Sequence, residues 1–383
     1  MKTWDIYCSA IDNFGDVGVS WRLARQLAHE FELDVRLFVD DPQVLEILCP
    51  EVSPSLPIQR VAGVQVIRWG AGLEVAPAAV VIETFGCQLP DTLISAMAAR
   101  EPASLWINLE YLSAESWIED CHGLPSPQII GPEKRFYFPG FTEKTGGLLR
   151  EKALLLKRQQ FTQMDRLHFL RQLGVNPSPG SVLVSIFTYE NESIVSWLET
   201  LRRDERRFHL LVPTGRISKN IQRWLGVEAL AHGETHSRDQ LTIQAIPFVR
   251  QEDYDLLLWS CDLNLVRGED SFVRAQWAGK PFLWHIYPQG ENVHLKKLAA
   301  FLRHYLDGVG VEAAVATERF WGDWNRQNSL QESWTAWQKH WPDLERNAEQ
   351  WCSQLARQPS LAESLARFAQ SWYKSRAEIT PPF

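Results

Sequence analysis

The chain has 383 residues, of which 45% are hydrophobic and 22% charged, with a formal net charge of −8. That length predicts two domains at roughly 150 residues each, and the ordinary hydrophobic content excludes disorder by composition. A net acidic chain repels phosphate backbones, and its basic pairs (Arg202-Arg203, Arg206-Arg207, Lys296-Lys297) are short and read as solvated helix faces, so nucleic-acid binding is excluded.

In chain order, residues 4–10 read as a strand, 11–18 as a loop and 20–30 as a helix with Leu23, Ala24, Leu27 and Ala28 on one face. Residues 35–39 form the next strand. Asp41-Pro42 then opens a helix, with proline in its tolerated first turn. Further strands are predicted at 64–69, 79–83, 105–109 and 136–141, the last interrupted by Pro139. A helix over 161–173 stops at Gly174, and the Asn-Pro-Ser-Pro-Gly run at 176–180 is the strongest linker signal in the chain. A second alternation follows. Strands at 181–187, 209–213, 241–247, 262–266 and 281–286 alternate with helices at 193–203, 218–225, 251–260, 272–278 and 292–306, and the chain beyond 310 is helical.

This pattern predicts an α/β protein of two Rossmann-like domains with parallel sheets. The first spans 1–175 and is completed by a last helix from about 360 to 383; the second spans 180–358. Ligands bind beyond the carboxyl ends of such strands, so the cleft between the two sheets is the expected site. The six cysteines (Cys8, Cys49, Cys87, Cys121, Cys261, Cys352) form no CxxC pair and no zinc-ligand spacing, which suits a reducing compartment. No signal peptide and no apolar run of about 18 residues is seen, so a cytoplasmic protein without a membrane span is expected. The seventeen tryptophans, several at helical spacing such as Trp334, Trp337 and Trp341, read as packing residues.

Three post-strand loops carry candidate chemistry. The first, Asp12-Asn13-Phe14-Gly15-Asp16-Val17-Gly18, offers two carboxylates four residues apart and glycines that permit close backbone approach, but it lacks the GxGxxG dinucleotide fingerprint. Two readings of Asp16 stand side by side: a helix-start carboxylate satisfying free backbone donors, or a catalytic acid or base. The second, Arg267-Gly268-Glu269-Asp270-Ser271, leads into a helix start, which suits a phosphate; Asp270 or Ser271 is positioned to cap and Arg267 to pair with the anion. The third, Phe187-Thr188-Tyr189, presents rings that either stack on a base or pack beneath the linker. Gln251 and Tyr254 follow the strand ending near 247, and Tyr287, Gln289, Gly290 and Glu291 follow the last strand. His209 and His285 lie in strands and read as core or edge residues rather than bases.

With the block CSAIDNFGDVGVSWRLARQL (8–27), the block LVRGEDSFVRAQWAGKPFLWHIYPQ (265–289) and the pair Phe187 and Tyr189, the chain resembles the bacterial protein-arginine rhamnosyltransferases that modify elongation factor P. The resemblance covers essentially the whole length. It implies a GT-B fold, dTDP-β-L-rhamnose as donor, an arginine of elongation factor P as acceptor, inversion at the anomeric carbon, and no cofactor or required metal. It also implies that Asp12, Asp16 and Glu269 are the catalytic acids. Which of Asp12 and Asp16 is the base stays open; the chemistry of a guanidinium acceptor is assigned here to Asp16 as base, Asp12 as its orienting partner and Glu269 as positioning donor or guanidinium. Phe187, Tyr189, Gln251, Tyr254, Arg267, Asp270 and Ser271 become the donor contacts, Tyr254 through its ring, and Asn13, Phe14 and Gly15 line the acceptor loop. The residues alone also admit another inverting GT-B glycosyltransferase, a sugar-nucleotide epimerase, or a non-catalytic partner-binding protein.

Overall fold

The computed structural model describes residues 2–10, 14–70 and 75–379, the last three through their backbone only. In chain order the first half forms β1 (Thr3–Cys8), α1 (Phe14–Phe31), β2 (Asp34–Val39), α2 (Pro42–Leu48), β3 (Ile58–Val61), β4 (Val64–Arg68), β5 (Val80–Thr84), α3 (Asp91–Ala99), β6 (Leu105–Leu109), α4 (Trp117–Cys121), β7 (Pro125–Ser126) and β8 (Lys134–Tyr137). The second half forms α5 (Leu154–Gln160), α6 (Gln163–Gln172), β9 (Val182–Ile186), α7 (Ser193–Leu201), β10 (Phe208–Pro213), α8 (Ser218–Leu225), β11 (Thr235–Arg238), β12 (Leu241–Ile246), α9 (Tyr254–Ser260), β13 (Leu263–Arg267), α10 (Asp270–Ala278) and β14 (Phe282–His285). Five helices follow: α11 (Val293–Tyr305), α12 (Val311–Arg326), α13 (Gln331–Trp337), α14 (Trp341–Leu355) and α15 (Leu361–Ile379). No helix among the described residues is long and apolar enough to cross a membrane.

The chain divides into two compact units, Met1–Leu154 with Arg357–Phe383, and Leu155–Ala356. The first holds an eight-stranded sheet of order β3-β4-β2-β1-β5-β6-β8-β7, parallel except for the edge strands β3 and β7. Its six parallel strands, renumbered by sequence, run 3-2-1-4-5-6, the dinucleotide-fold order, whose reversal point lies between β1 and β5. The inner strands are buried on both faces by runs such as Val80–Thr84, as a sheet covered by helices requires. Arg36 grips the buried Asp5 with Nε–Oδ1 and Nη2–Oδ2 distances of 2.6 and 2.7 Å, and the Ala78 N–H donates to the same carboxylate at 2.9 Å. These contacts join β1 and β2 to the chain entering β5. Helix α15 belongs to this unit; the Leu361 N–H donates to the Leu148 carbonyl at 2.8 Å and the Tyr373 hydroxyl to the Ala79 carbonyl at 2.6 Å.

The second unit holds a six-stranded sheet of order β11-β12-β10-β9-β13-β14, antiparallel only at β11. Its parallel strands run 3-2-1-4-5, with the reversal between β9 and β13. The tryptophans pack, as expected: Trp197, Trp321, Trp324, Trp334 and Trp337 are buried among the helices flanking this sheet. The structure corrects the domain boundary read from the 176–180 linker signal. Phe169 and Leu170 of α6, with Val175, pack against Leu183, Leu211, Ile246 and Leu257, and Arg166 Nε donates to the Ser260 carbonyl at 2.7 Å. The Pro/Gly run is thus a tight turn inside the second unit, because α6 covers that unit's sheet. The structure also moves the start of α1 back to Phe14, into the segment read as a loop. Gly15 and Gly18, poor helix formers, had disguised its first turn.

Candidate active site

Each reversal point carries its own set of polar and aromatic side chains. In the second unit, β9 delivers Phe187-Thr188-Tyr189, and the Phe187 N–H still bonds the Leu265 carbonyl of β13 at 2.9 Å, so the two strand ends stay in register. Strand β13 ends in Arg267, and Gly268 turns the chain with φ of 60°, a left-handed conformation that glycine adopts without strain. The Ser271 hydroxyl accepts the Arg267 N–H at 3.2 Å and donates to the Arg267 carbonyl, which closes the turn into α10. The expectation that Asp270 or Ser271 caps this helix is corrected. Glu269 occupies the cap position without a capping bond from its side chain, Ser271 ties back to β13, and Asp270 accepts from Gln251 Nε2 at 3.2 Å.

The Arg267 guanidinium carbon lies 4.7 Å from the ring centres of both Phe187 and Tyr189. Arg267, Tyr189, Gln251 and Ser271 are buried, while Phe187, Tyr254, Glu269 and Asp270 are half-buried. The Tyr254 ring meets Phe187 edge-on at 6.2 Å, and burial holds its hydroxyl far above the ordinary tyrosine range. All seven residues expected to contact a donor thus gather at one helix start. A cation beside aromatic faces, at the positive end of a helix dipole, suits an anion joined to a planar ring.

Two residues of this cluster were not among those expected to contact a donor. Tyr287 meets Tyr189 edge-on at 5.4 Å and is half-exposed. His285 meets the same ring at 5.2 Å, and burial, then Arg267 and His294, press its pKa down to about 3, so it stays neutral near pH 7. The reading of His285 as a core residue and not a base stands. The sequence signal available for both was their place at the end of the strand beside β13.

In the first unit, β1 ends at Cys8 and α1 starts at Phe14. Asp16 lies in its first turn and is buried, 2% exposed. One turn on, Ser20 Oγ lies 3.4 Å from Thr84 Oγ1 at the end of β5, and Thr84 Oγ1 donates to the Tyr7 carbonyl at 2.8 Å. The β1 and β5 ends and the start of α1 are thereby held as one block. Cys8 sits in this block; burial pushes its thiol up to about 12, with Asp16 and Asp40 adding to the rise, so it is no nucleophile at neutral pH. Asp40 Oδ1 accepts the Ala10 N–H at 2.9 Å. Phe14 and Gly15 open α1 half-buried. Asp12 and Asn13 lie outside the described residues.

The model of the family described as "Elongation-Factor P (EF-P) rhamnosyltransferase EarP" matches residues 4–370. The chain belongs to this family. It is 52% identical over 369 residues to a protein-arginine rhamnosyltransferase of Pseudomonas putida, covering 96% of this chain and 98% of the relative. It is 49% identical over 375 residues to the protein of that name from Pseudomonas aeruginosa, covering 97% and 100%. A solved structure from a study of EarP-mediated arginine glycosylation of translation elongation factor EF-P aligns with a TM-score of 0.70 at 39% identity, over 96% of this chain and 99% of that one. EarP membership makes the chain a glycosyltransferase of GT-B type, in agreement with the two parallel-rich sheets.

Proposed function

We propose that the chain transfers L-rhamnose from dTDP-β-L-rhamnose to one arginine side chain of elongation factor P, with inversion at the anomeric carbon and with no cofactor or metal. The observation that carries this reading is the convergence of Phe187, Tyr189, Arg267 and Ser271 at the α10 start, a binding surface for a base-linked diphosphate. The thymine stacks on a ring of this cluster, and the diphosphate lies at the helix start, where backbone N–H groups and the Arg267 charge stabilise it as it leaves while Ser271 holds the turn in place. The first unit holds the acceptor. A guanidinium keeps its proton at pH 7, so attack needs carboxylates that localise its charge and accept a proton as the bond forms. A guanidinium nitrogen bonds C1 of rhamnose from the face opposite the diphosphate. The C1–oxygen bond breaks with its electron pair leaving on dTDP, and Asp16 takes the proton. Asp12 orients the guanidinium and Glu269 positions it or the donor. The reading requires the acceptor held on the first unit to reach the donor held on the second, and it implies a cytoplasmic enzyme.

The deciding experiment incubates purified chain, dTDP-rhamnose and elongation factor P, and follows the intact mass of the factor. One added deoxyhexose, mapped to an arginine by fragmentation, is expected. An unchanged mass, or altered sugar nucleotide without transfer, contradicts the reading. Arg267→Ala is expected to weaken dTDP binding by about 10- to 100-fold, since a charge-assisted hydrogen bond to an anion contributes roughly 1.5–3 kcal/mol. Titration calorimetry checks this, and unchanged affinity removes Arg267 from the donor contacts.

A further inference from the structure

In the second sheet β9 lies between β10 and β13, and both neighbours send an arginine to the ring at its end. Arg267 closes β13 with its guanidinium carbon 4.7 Å from the Tyr189 ring centre. Arg216, three residues beyond β10, lies over the same ring at 5.6 Å. Arg216 is exposed, and its side chain makes no ion pair or hydrogen bond among the described residues. The turn that carries it is anchored. Ile217 is buried, Ser218 Oγ accepts the Gly215 N–H at 3.1 Å, and Asn220 Oδ1 of α8 accepts the Asn191 N–H, two residues past Tyr189, at 3.2 Å. Glu192 in that same segment is already held by Arg223 Nη1 at 2.9 Å and by Asn220 Nδ2 at 3.1 Å. A guanidinium laid over a ring gives its face to the ring and keeps its N–H edge for an acceptor.

Charge bookkeeping shows what that edge is for. The post-strand segments 187–192, 247–253 and 267–270 carry two arginines against six acids. Neutral His285 adds nothing to the positive side near pH 7. A nucleotide diphosphate brings more negative charge to this surplus, which Arg267 and a helix start would have to outweigh alone. The stretch 208–227, which spans β10 and α8, has no acid at all and holds Arg216, Lys219 and Arg223. Arg223 is paired with Glu192, whereas Arg216 stands at the ring that Arg267 also touches. We propose that Arg216 is a second cationic contact for the donor diphosphate, reaching it from the β10 side while Arg267 holds it from the β13 side. This rests on the donor reading above and adds to it a residue from a strand end that reading does not use. The Tyr189 ring attracts both guanidiniums, which offsets part of their mutual repulsion until the anion binds. Arg216 is a binding residue for the leaving group and exchanges no proton in the transfer.

The test titrates dTDP into the full chain at low and high salt, for wild type, Arg216→Ala and Arg216→Lys, beside melting curves. Arg216→Ala is expected to weaken dTDP binding by about 3- to 10-fold at low salt, with Tm near wild type. The effect is smaller than for Arg267→Ala because an exposed charge is screened by water and ions. The Ala variant should also lose part of the salt dependence of dTDP binding, and Arg216→Lys, which keeps the charge, should recover part of both. Unchanged dTDP affinity in Arg216→Ala overturns the proposal. So does a loss that keeps the wild-type salt dependence and is not relieved by lysine, since that assigns Arg216 to packing on Tyr189. In either case dTDP binding by the wild type leaves the donor reading intact. A wild type that fails to bind dTDP overturns both.

Discussion

Asp16→Asn is expected to reduce kcat for arginine transfer by about 10²- to 10⁴-fold, the range by which a positioned acid or base accelerates a reaction. Dissociation of dTDP and the thermal midpoint should both stay near wild type. A guanidinium gives up its proton only above about pH 12, so almost none is neutral at physiological pH. The proton must leave as the carbon–nitrogen bond forms, and a carboxylate is the acceptor that the first turn of α1 supplies. Asparagine has the same shape and can still satisfy the free N–H groups of a helix start, so it isolates the charge from the capping role. The two readings of Asp16 therefore separate by experiment. A capping role predicts a stable, active Asn variant; a catalytic role predicts a stable, inactive one. Intact-mass time courses with saturating donor, beside a melting curve and a dTDP titration, give the answer. Near wild-type turnover in the variant would assign Asp16 to structure alone.

The buried centre of each sheet was readable because its strands are short apolar runs between turn signals. Val80–Thr84 and Leu105–Leu109 are buried at every position, and so β5 and β6 lay within a residue of expectation. The edges were not readable. Strand β3 alternates exposed and half-buried residues, β11 (Thr-His-Ser-Arg) is mostly exposed, and β7 is two residues long; antiparallel pairing to a neighbour makes these strands, and no local pattern reports it. The linker signal at 176–180 misled for a related reason. Proline and glycine report a turn, while the unit boundary is set by which sheet α6 covers. The loop after β13 was legible in outline, since an arginine, a glycine and a helix start coincide there. Its wiring was not: Ser271 returning to the Arg267 backbone and Gln251 reaching Asp270 depend on the packing of α9 beside α10.

That same packing of α9 against α10 hangs on one buried ion pair. Arg274, 1% exposed, donates Nε to Asp255 Oδ1 at 2.7 Å and Nη2 to Oδ2, a two-point grip between the first turn of α9 and the middle of α10. Their neighbours along the helices belong to the proposed donor cluster: Tyr254 precedes Asp255, while Asp270 and Ser271 lie one turn before Arg274. Asp255→Ala is expected to destabilise the second unit by about 3–5 kcal/mol, because it strands a guanidinium in the interior where water cannot solvate it. The cost of the missing partner exceeds the net worth of the pair. Replacing both residues together, as Asp255→Leu with Arg274→Met, should therefore recover much of the loss, since it removes the uncompensated charge and restores apolar volume. Denaturant melts of the three forms provide the comparison. If the pair's function is to set the α9–α10 spacing, the double variant will regain stability and still bind dTDP more weakly than wild type, because Gln251–Asp270 and Ser271–Arg267 lose their common reference. If it regains both, the pair is merely one of several ways to fill that space. A double variant no more stable than Asp255→Ala alone would show that the stranded charge is not what destabilises the single variant.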